Sequence, residues 1–277
     1  MAIIMYNDVT DLKAQVVIAE VMGLARVQYK LRELCKVIQM PKLVADIRTA
    51  VDYTGTAKVP ELVEADIKSQ AYTKASFELW KNVVHLAISA EADLKTDVNI
   101  LDLEMASAAK ELARMENAQI ATEIEANGTS LVTQGAWNTK VSGVSSNDPV
   151  YDMLVACQPI FDAGYQASMA AMHFRTYSEL ITNTHITSLL ERGGVIKTAV
   201  LPALAGLQLL IDENITNTVA YIIDPSAPSV ILGEGPTLAV RYGNDNPRFY
   251  KGYAIAQFLQ PKVAVTNGCR VITAVHA

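Results

Sequence analysis

Histidine and cysteine are scarce in this sequence, and each scarcity removes a class of function. The four histidines, His85, His173, His185 and His276, lie far apart. None sits in an HExxH pattern or beside a cysteine at metal-ligand spacing, so each reads as a core or surface residue. The three cysteines, Cys35, Cys157 and Cys269, are too dispersed for a disulfide framework or a CxxC half-site and read as small buried hydrophobes. No apolar run reaches the roughly 18 to 20 residues that a membrane helix needs. Met1 to Tyr6 carries no basic residue ahead of its apolar patch, and Asp8 and Asp11 follow. That is poor material for a secretory or transit signal, and the expectation is a chain that stays in the cytoplasm where it is made. The Asn127-Gly-Thr and Asn214-Ile-Thr sequons would matter only in a secretory pathway.

Catalytic signatures are equally thin. There is no phosphate loop of the GxxxxGKS/T kind and no GxSxG elbow. Gly233-Glu-Gly235-Pro lacks the third glycine of a dinucleotide loop and has proline where a helix should offer its amides. Glu91 with Asp93, and Glu123 with Glu125, are two apart on expected helix, so they point in different directions and read as capping or solvated acids. No residue is assigned a catalytic, cofactor-binding or metal-binding role.

What is present is a folding chain: 277 residues, 51% hydrophobic and 19% charged, enough for one large domain or two ordinary ones. The net charge of -6 argues against a free-standing nucleic-acid binder. The charge is uneven, because Leu24 to Lys42 holds Arg26, Lys30, Arg32, Lys36 and Lys42 against the single acid Glu33. A solvated helix face and a polyanion contact both explain that stretch.

Along the chain, Asp8 to Gln39 has helical spacing in two pieces, stopped by Pro41. Leu43 to Val51 and Ser76 to Ile88 read as strands around a threonine-rich stretch broken by Gly55 and Pro60, together a long hairpin. The inward parity of the returning strand changes near Trp80 to Val83, which implies a bulge or a change of packing partner. Ser89, with Glu91 and Asp93 behind it, reads as a helix start, and Asp97 or Asn99 as a second cap. A long helix then runs to Asn127-Gly128 on the stripe Leu101, Met105, Ala108, Leu112, Met115, with Asp102, Lys110, Glu111, Arg114 and Glu116 on other faces. Roughly 29 residues give about 43 Å, enough to span the body as a spine.

Thr129 to Asn147 breaks the periodicity and marks a subdomain boundary. Asp148-Pro149 opens a helix with Val150, Leu154, Cys157 and Phe161 on one face, ending at Gly164. Thr176 and Glu179 make a capping box for another, ending at Gly193-Gly194, and Ala167 to Met172 reads as a buried strand between them. From Gly206 onward the pattern is β: 206–211, 219–223, 229–232, 238–242, 253–260, 263–265 and 271–275, with Asn267-Gly268 as a hairpin turn.

The order of helical arm, long hairpin, spine helix, inserted α/β part and returning strands resembles the major capsid protein of tailed double-stranded DNA viruses. This is the Hong Kong 97-type fold, shared with encapsulins. The likeness rests on Phe77-Glu-Leu-Trp-Lys, on Leu86-Ala-Ile-Ser89-Ala-Glu91 before the amphipathic helix, and on Pro149-Val-Tyr-Asp152-Met-Leu with Ala163-Gly-Tyr-Gln-Ala167. Leu201-Pro-Ala-Leu-Ala-Gly206 and Ile222-Ile-Asp224-Pro-Ser complete it, over roughly Leu43 to Ala277. The chain departs from one family pattern, since no long charged helical segment stands ahead of the arm as a fused scaffold. A separate scaffold, a processed chain or scaffold-free assembly fits that departure.

The resemblance implies an α+β fold with an N-terminal arm at 1–42 and an extended loop hairpin at 43–76. It further implies a peripheral subdomain with the spine at 77–128 and 222–277, and an axial subdomain at 129–221. It implies a structural subunit, not an enzyme, that self-assembles as pentamers and hexamers into an icosahedral shell enclosing double-stranded DNA. The alternative is an encapsulin-like compartment enclosing cargo enzyme. The implied partners are further copies of the chain, scaffold, portal and decoration proteins, and DNA contacted non-specifically, with the basic stretch from Arg26 to Lys42 facing DNA or scaffold. No membrane and no cofactor is implied, and the location is the virion capsid, assembled in the host cytoplasm. Some relatives crosslink neighbours through a lysine and an asparagine; Lys58, Lys68 and Lys74 hold donor positions in the loop, and solvated lysines are the plainer reading.

Overall fold

A computed structural model describes residues 6–50, 72–89, 100–133, 135–137, 148–183, 186, 203–242 and 250–275. The chain begins with α1 (Tyr6–Arg26), whose Val17, Val21 and Ala25 pack with Met105, Ala108 and Leu112. The second helical piece expected before Pro41 does not form. Leu31–Leu34 is a single 3-10 turn, and Lys36–Gln39 is a strand, β1. The cause is tertiary: Leu31 and Leu34 are buried, the Leu31 N–H donates to Asn117 Oδ1 at 3.3 Å, and Val37 and Ile38 gain a parallel ladder with Leu232 and Gly233.

Strands β2 (Val44–Ala50) and β3 (Tyr72–Glu78) pair antiparallel from Val44↔Glu78 to Ala50↔Tyr72, and among the described residues they form a sheet of two. Leu79 interrupts the strand, its N–H donating to Leu43 O at 2.8 Å. The next strand, β4 (Trp80–Ser89), pairs instead with β12 (Tyr250–Val263) over ten residues. The parity change is therefore a change of partner. Ser89, expected to open a helix, ends β4 opposite Tyr250 because the ladder continues to it. Glu91, Asp93, Asp97 and Asn99 lie outside the described residues.

The spine is α2 (Ile100–Asn127), 28 residues and about 42 Å long. Its buried line runs Met105, Ala108, Leu112, then Glu116, Ile120 and Ile124. Gly128 follows it because a Cβ there would lie 2.6 Å from both Ile124 O and Val271 Cγ2.

Two larger sheets flank the spine. The first has the order β1, β10 (Val230–Glu234), β12, β11 (Leu238–Tyr242), with β4 on the other side of β12. The expected strands 253–260 and 263–265 are one strand, β12. Pro261 is tolerated in it because it lies beyond the last β4 pair, Leu259↔Trp80. The second sheet has the order β5 (Thr129–Val132), β13 (Cys269–Thr273), β9 (Val219–Ile223), β6 (Met169–Met172), β8 (Leu207–Ile211), β7 (Ala203–Leu204). β6 is buried throughout, as its run of small and apolar residues implies. The last strand, expected with the peripheral part, thus joins the sheet that holds 129–132. Asn267-Gly268 is not a hairpin turn: the 3-10 turn Thr266–Gly268 carries the chain from one sheet to the other.

The helix α3 (Pro149–Asp162) starts as expected, with Asp148 accepting from the Val150 N–H at 2.9 Å, and ends before Gly164, whose φ is +82°. Its inward face is Met153, Ala156, Cys157 and Ile160, about one residue round from the expected one, and Leu154 and Phe161 are exposed. Asp152 also turns inward, where its carboxylate accepts from Trp137 Nε1 at 2.9 Å. The helix α4 (Phe174–Thr182) is capped by His173, whose Nδ1 accepts from the Arg175 N–H at 3.0 Å. The expected cap, Thr176, is instead buried and donates to Asn217 O at 2.7 Å. Gly193-Gly194 lies outside the described residues.

Candidate assembly surfaces and the ion network behind them

No constellation of reactive groups emerges from the placements of the singled-out residues. His85 is exposed on β4 and His173 caps α4, while His185 and His276 lie outside the described residues. Cys35, Cys157 and Cys269 are buried free thiols, and burial pushes Cys269 up to about 12 and Cys35 higher still, far from thiolate chemistry at neutral pH. Gly233 lies on β10 under Met40, where a Cβ would meet Met40 Cε at 2.6 Å; it is a packing glycine. Among the described residues no three or more His, Cys, Asp or Glu side chains converge as a metal site, and no helix is long and apolar enough to cross a membrane. A cleft of about 390 Å³ between the end of α1, the spine and the end of β8 sets Lys30, Lys110 and Arg114 against Asp212 and Glu213. Lys30 Nζ there donates to Ile211 O at 3.3 Å, and Arg114 is bidentate to Glu111.

The spine carboxylates are the polar residues that sequence reasoning misplaced. Glu116, assigned to an outer face, is fully buried; Arg32 meets it with Nε–Oε1 at 2.7 Å and Nη2–Oε2 at 3.0 Å. Arg32 Nη2 also reaches Glu234 Oε1 on β10 at 3.0 Å, and its guanidinium lies 4.5 Å from the centre of the Tyr29 ring. Gln257 of β12 donates to Glu116 Oε2 at 2.9 Å, and Gln39 of β1 donates to Glu234 Oε2 at 2.6 Å. Burial pushes the Glu116 carboxyl up; the Arg32 hydrogen bonds and charge oppose this without cancelling it, so it sits above the usual carboxylate range. A signal was present in the sequence: Glu116 falls on the i, i+4, i+8 line Leu112, Glu116, Ile120, where a carboxylate must find a partner.

Glu123 and Glu125 do point apart, and each is half-buried and bonded to another element. Glu123 Oε1 accepts from the Val263 N–H at 3.1 Å, at the end of β12. Glu125 accepts from Thr216 N at 3.0 Å, Thr216 Oγ1 at 2.9 Å and Tyr221 Oη at 2.6 Å. One helix therefore bonds both sheets through side-chain carboxylates.

The outer surface carries a ribbon, exposed apolar side chains and a run of cations. Among the described residues the β2–β3 ribbon packs on the body at its base, where buried Phe77 and Ala75 meet Met40 and Ile231. That base is bolted to β12: Gln260 Oε1 accepts from Glu78 N at 2.7 Å, and Lys262 Nζ donates to Ser76 O at 2.9 Å. Further out, Lys74 pairs with Asp46 at 2.9 Å, both at least half exposed; Lys58 and Lys68 lie outside the described residues. Exposed apolar side chains stand on α3 (Tyr151, Leu154, Phe161) and on the edge strand β11 (Leu238, Val240). Of the five basic residues between Leu24 and Lys42, Arg26, Lys30, Lys36 and Lys42 are exposed and Arg32 is taken by the ion network.

A self-paired ribbon leaving the body, a spine helix bonded to two sheets and an inserted α/β part define the Hong Kong 97-type capsid fold. Solved structures agree. The capsid structure of the cyanophage P-SCSP1u aligns with a TM-score of 0.68 at 11% identity, over 88% of this chain and 87% of that one. A chain of Gordonia phage Cozz aligns with a TM-score of 0.67 at 16% identity, over 89% and 86%. The virus-like particle from Pyrococcus furiosus aligns with a TM-score of 0.62 at 10% identity, over 94% and 99%. No family model matches the sequence, and no curated protein does either.

Proposed function

We propose that this chain is a major capsid protein: a structural subunit, not an enzyme, that self-assembles as pentamers and hexamers into an icosahedral shell enclosing double-stranded DNA. The observation that carries the reading is the ribbon. A two-stranded ribbon alone is marginal in water, and beyond its base this one has no further described partner in its own subunit, so a neighbouring copy is its natural support. Repeating one modest contact many times makes a closed shell persistent even where each contact is weak.

In this reading 43–76 lies over a neighbour, and 129–221 with the strand Cys269–Thr273 forms the axial part around the symmetry axes. The spine and the first sheet form the peripheral part. The exposed cations Arg26, Lys30, Lys36 and Lys42 contact DNA or a scaffold, salt-dependently. Scaffold, portal and decoration proteins are the further partners, and the location is the virion, assembled in the host cytoplasm.

An encapsulin-like compartment around a cargo enzyme is the second reading. It is favoured by the alignment over 99% of the chain of the Pyrococcus furiosus particle. Cryo-electron microscopy of nuclease-treated particles from producing cells tests both. Closed shells with fivefold and sixfold clusters and protected DNA support the capsid; protected enzyme without DNA supports the compartment; a homogeneous monomer or dimer contradicts both.

A further inference from the structure

The first turn of α4 leans on a histidine. Phe174 and Arg175 are exposed, and burial begins only at Thr176 and Tyr177. Two bonds tie the turn to His173: the Tyr177 N–H donates to its backbone oxygen at 3.0 Å, and the Arg175 N–H donates to its ring Nδ1 at 3.0 Å. A ring nitrogen that accepts carries no proton, so this imidazole is neutral with its hydrogen on Nε2. The usual caps, Ser, Thr, Asn and Asp, keep their acceptor oxygen through the neutral range, whereas a histidine cap gives up its acceptor to a proton there. A proton on Nδ1 sets donor against donor and puts a cation at the positive end of the helix dipole. Both effects act in one direction. The charged groups on the elements that meet this corner are few. β6 is Met-Ala-Ala-Met and brings none. On α4 itself Arg175 pairs with Glu179 at 3.5 Å, and on α3 Asp152 accepts from Trp137 Nε1 while Asp162 stands in the last turn. Beyond β8 the Asp212 N–H donates to Met172 O at 3.2 Å, its carboxylate accepts from Asn214 and Asn117, and Glu213 beside it is exposed.

We propose that His173 is a pH-sensitive cap: neutral, it closes the first turn of α4, and on taking up a proton it releases that turn. The bond exists only with the neutral ring. By linkage, the stability it adds is present at the upper end of the range of roughly pH 5 to 8 in which histidines ordinarily titrate, and is lost as pH falls through it. The release is local, because Thr176 is anchored to Asn217 O at 2.7 Å and Tyr177 and Leu180 are buried among Met153, Ile160 and Met172. The turn at stake carries Phe174, which lines the cleft between α1, the spine and β8, so the cap also sets how firmly that wall is held. The inference is independent of the shell reading, since it concerns one helix inside one subunit.

The test is amide hydrogen exchange of the full chain at pH 5.0 and 7.5, corrected for intrinsic rates, comparing 174–178 with the buried strand Met169–Met172. The cap predicts several-fold lower protection of 174–178 at pH 5.0 than at pH 7.5, with no such change in the strand. His173→Asn keeps an acceptor oxygen that does not titrate, and should hold the turn closed at both pH values. His173→Ala has no acceptor and should leave the turn several-fold less protected at both. Protection of 174–178 that is flat or rises toward pH 5.0 in the parent protein overturns the proposal, as does a pH difference that survives in His173→Asn.

Discussion

The passage from β3 to β4 crosses two regimes of stabilisation at one residue, Leu79. On its outer side, β3 pairs with β2 alone among the described residues and its ion pair is half exposed; on its inner side, β4 is laddered to β12 for ten residues and packs against the spine. The difference is one of partners: among the described residues the inner strand is held by both a sheet and the spine, and the outer strand by its ribbon mate. Inside, polar groups are spent on buried bonds between elements; outside, Lys74 and Asp46 pair at an exposed surface.

The largest effect that can break this contrast is at its border. Phe77 is fully buried at the ribbon base, so Phe77→Ala should cost about 3 to 5 kcal/mol in chemical denaturation. A cost below about 1 kcal/mol would mean that the base is as loosely held as the rest of the ribbon.

Two aspartates, both held below the usual carboxylate range, sharpen the comparison. At Asp224, burial pushes the carboxyl up, but Ser226 Oγ and the amides of Gln166, Ser226 and Ala227 outweigh it. A lowered carboxyl contributes stability that is present above its unfolded pKa and lost as pH falls through its folded pKa. Asp224→Asn should therefore cost about 1 to 3 kcal/mol at pH 7 and much less in strong acid, followed by Tm against pH. Asp46 is lowered by its hydrogen bonds from Lys74 and Ser76 on the exposed ribbon. Solvent screens that pair, and Asp46→Asn should leave the Tm of the isolated subunit unchanged.

Much of this division was legible in the residues. The spine, the Asp148-Pro149 start, the buried strand before α4 and the change of parity near Trp80 all follow from local periodicity and capping. The errors fall where tertiary partners override local preference. Lys36–Gln39 has helical spacing but finds a parallel ladder, and Thr176 has a cap's sequence but a buried bond to Asn217. The ion network was half legible: Glu116 sits on the apolar line of the spine, but nothing local tells that its partners are Arg32 and Gln257, 84 and 141 residues away.

The most direct measurement removes the ribbon and keeps the body. Arg48 and Lys74 are paired across β2 and β3, so residues 49–73 can be replaced by an Asn-Gly turn. Electron microscopy and light scattering at near-physiological salt then compare the two proteins. The account predicts that the parent closes into shells, while the shortened protein keeps its Tm within a few degrees and remains a small oligomer. Shells of equal size from the shortened protein, or a parent that stays a monomer or dimer even with a scaffold, would contradict it.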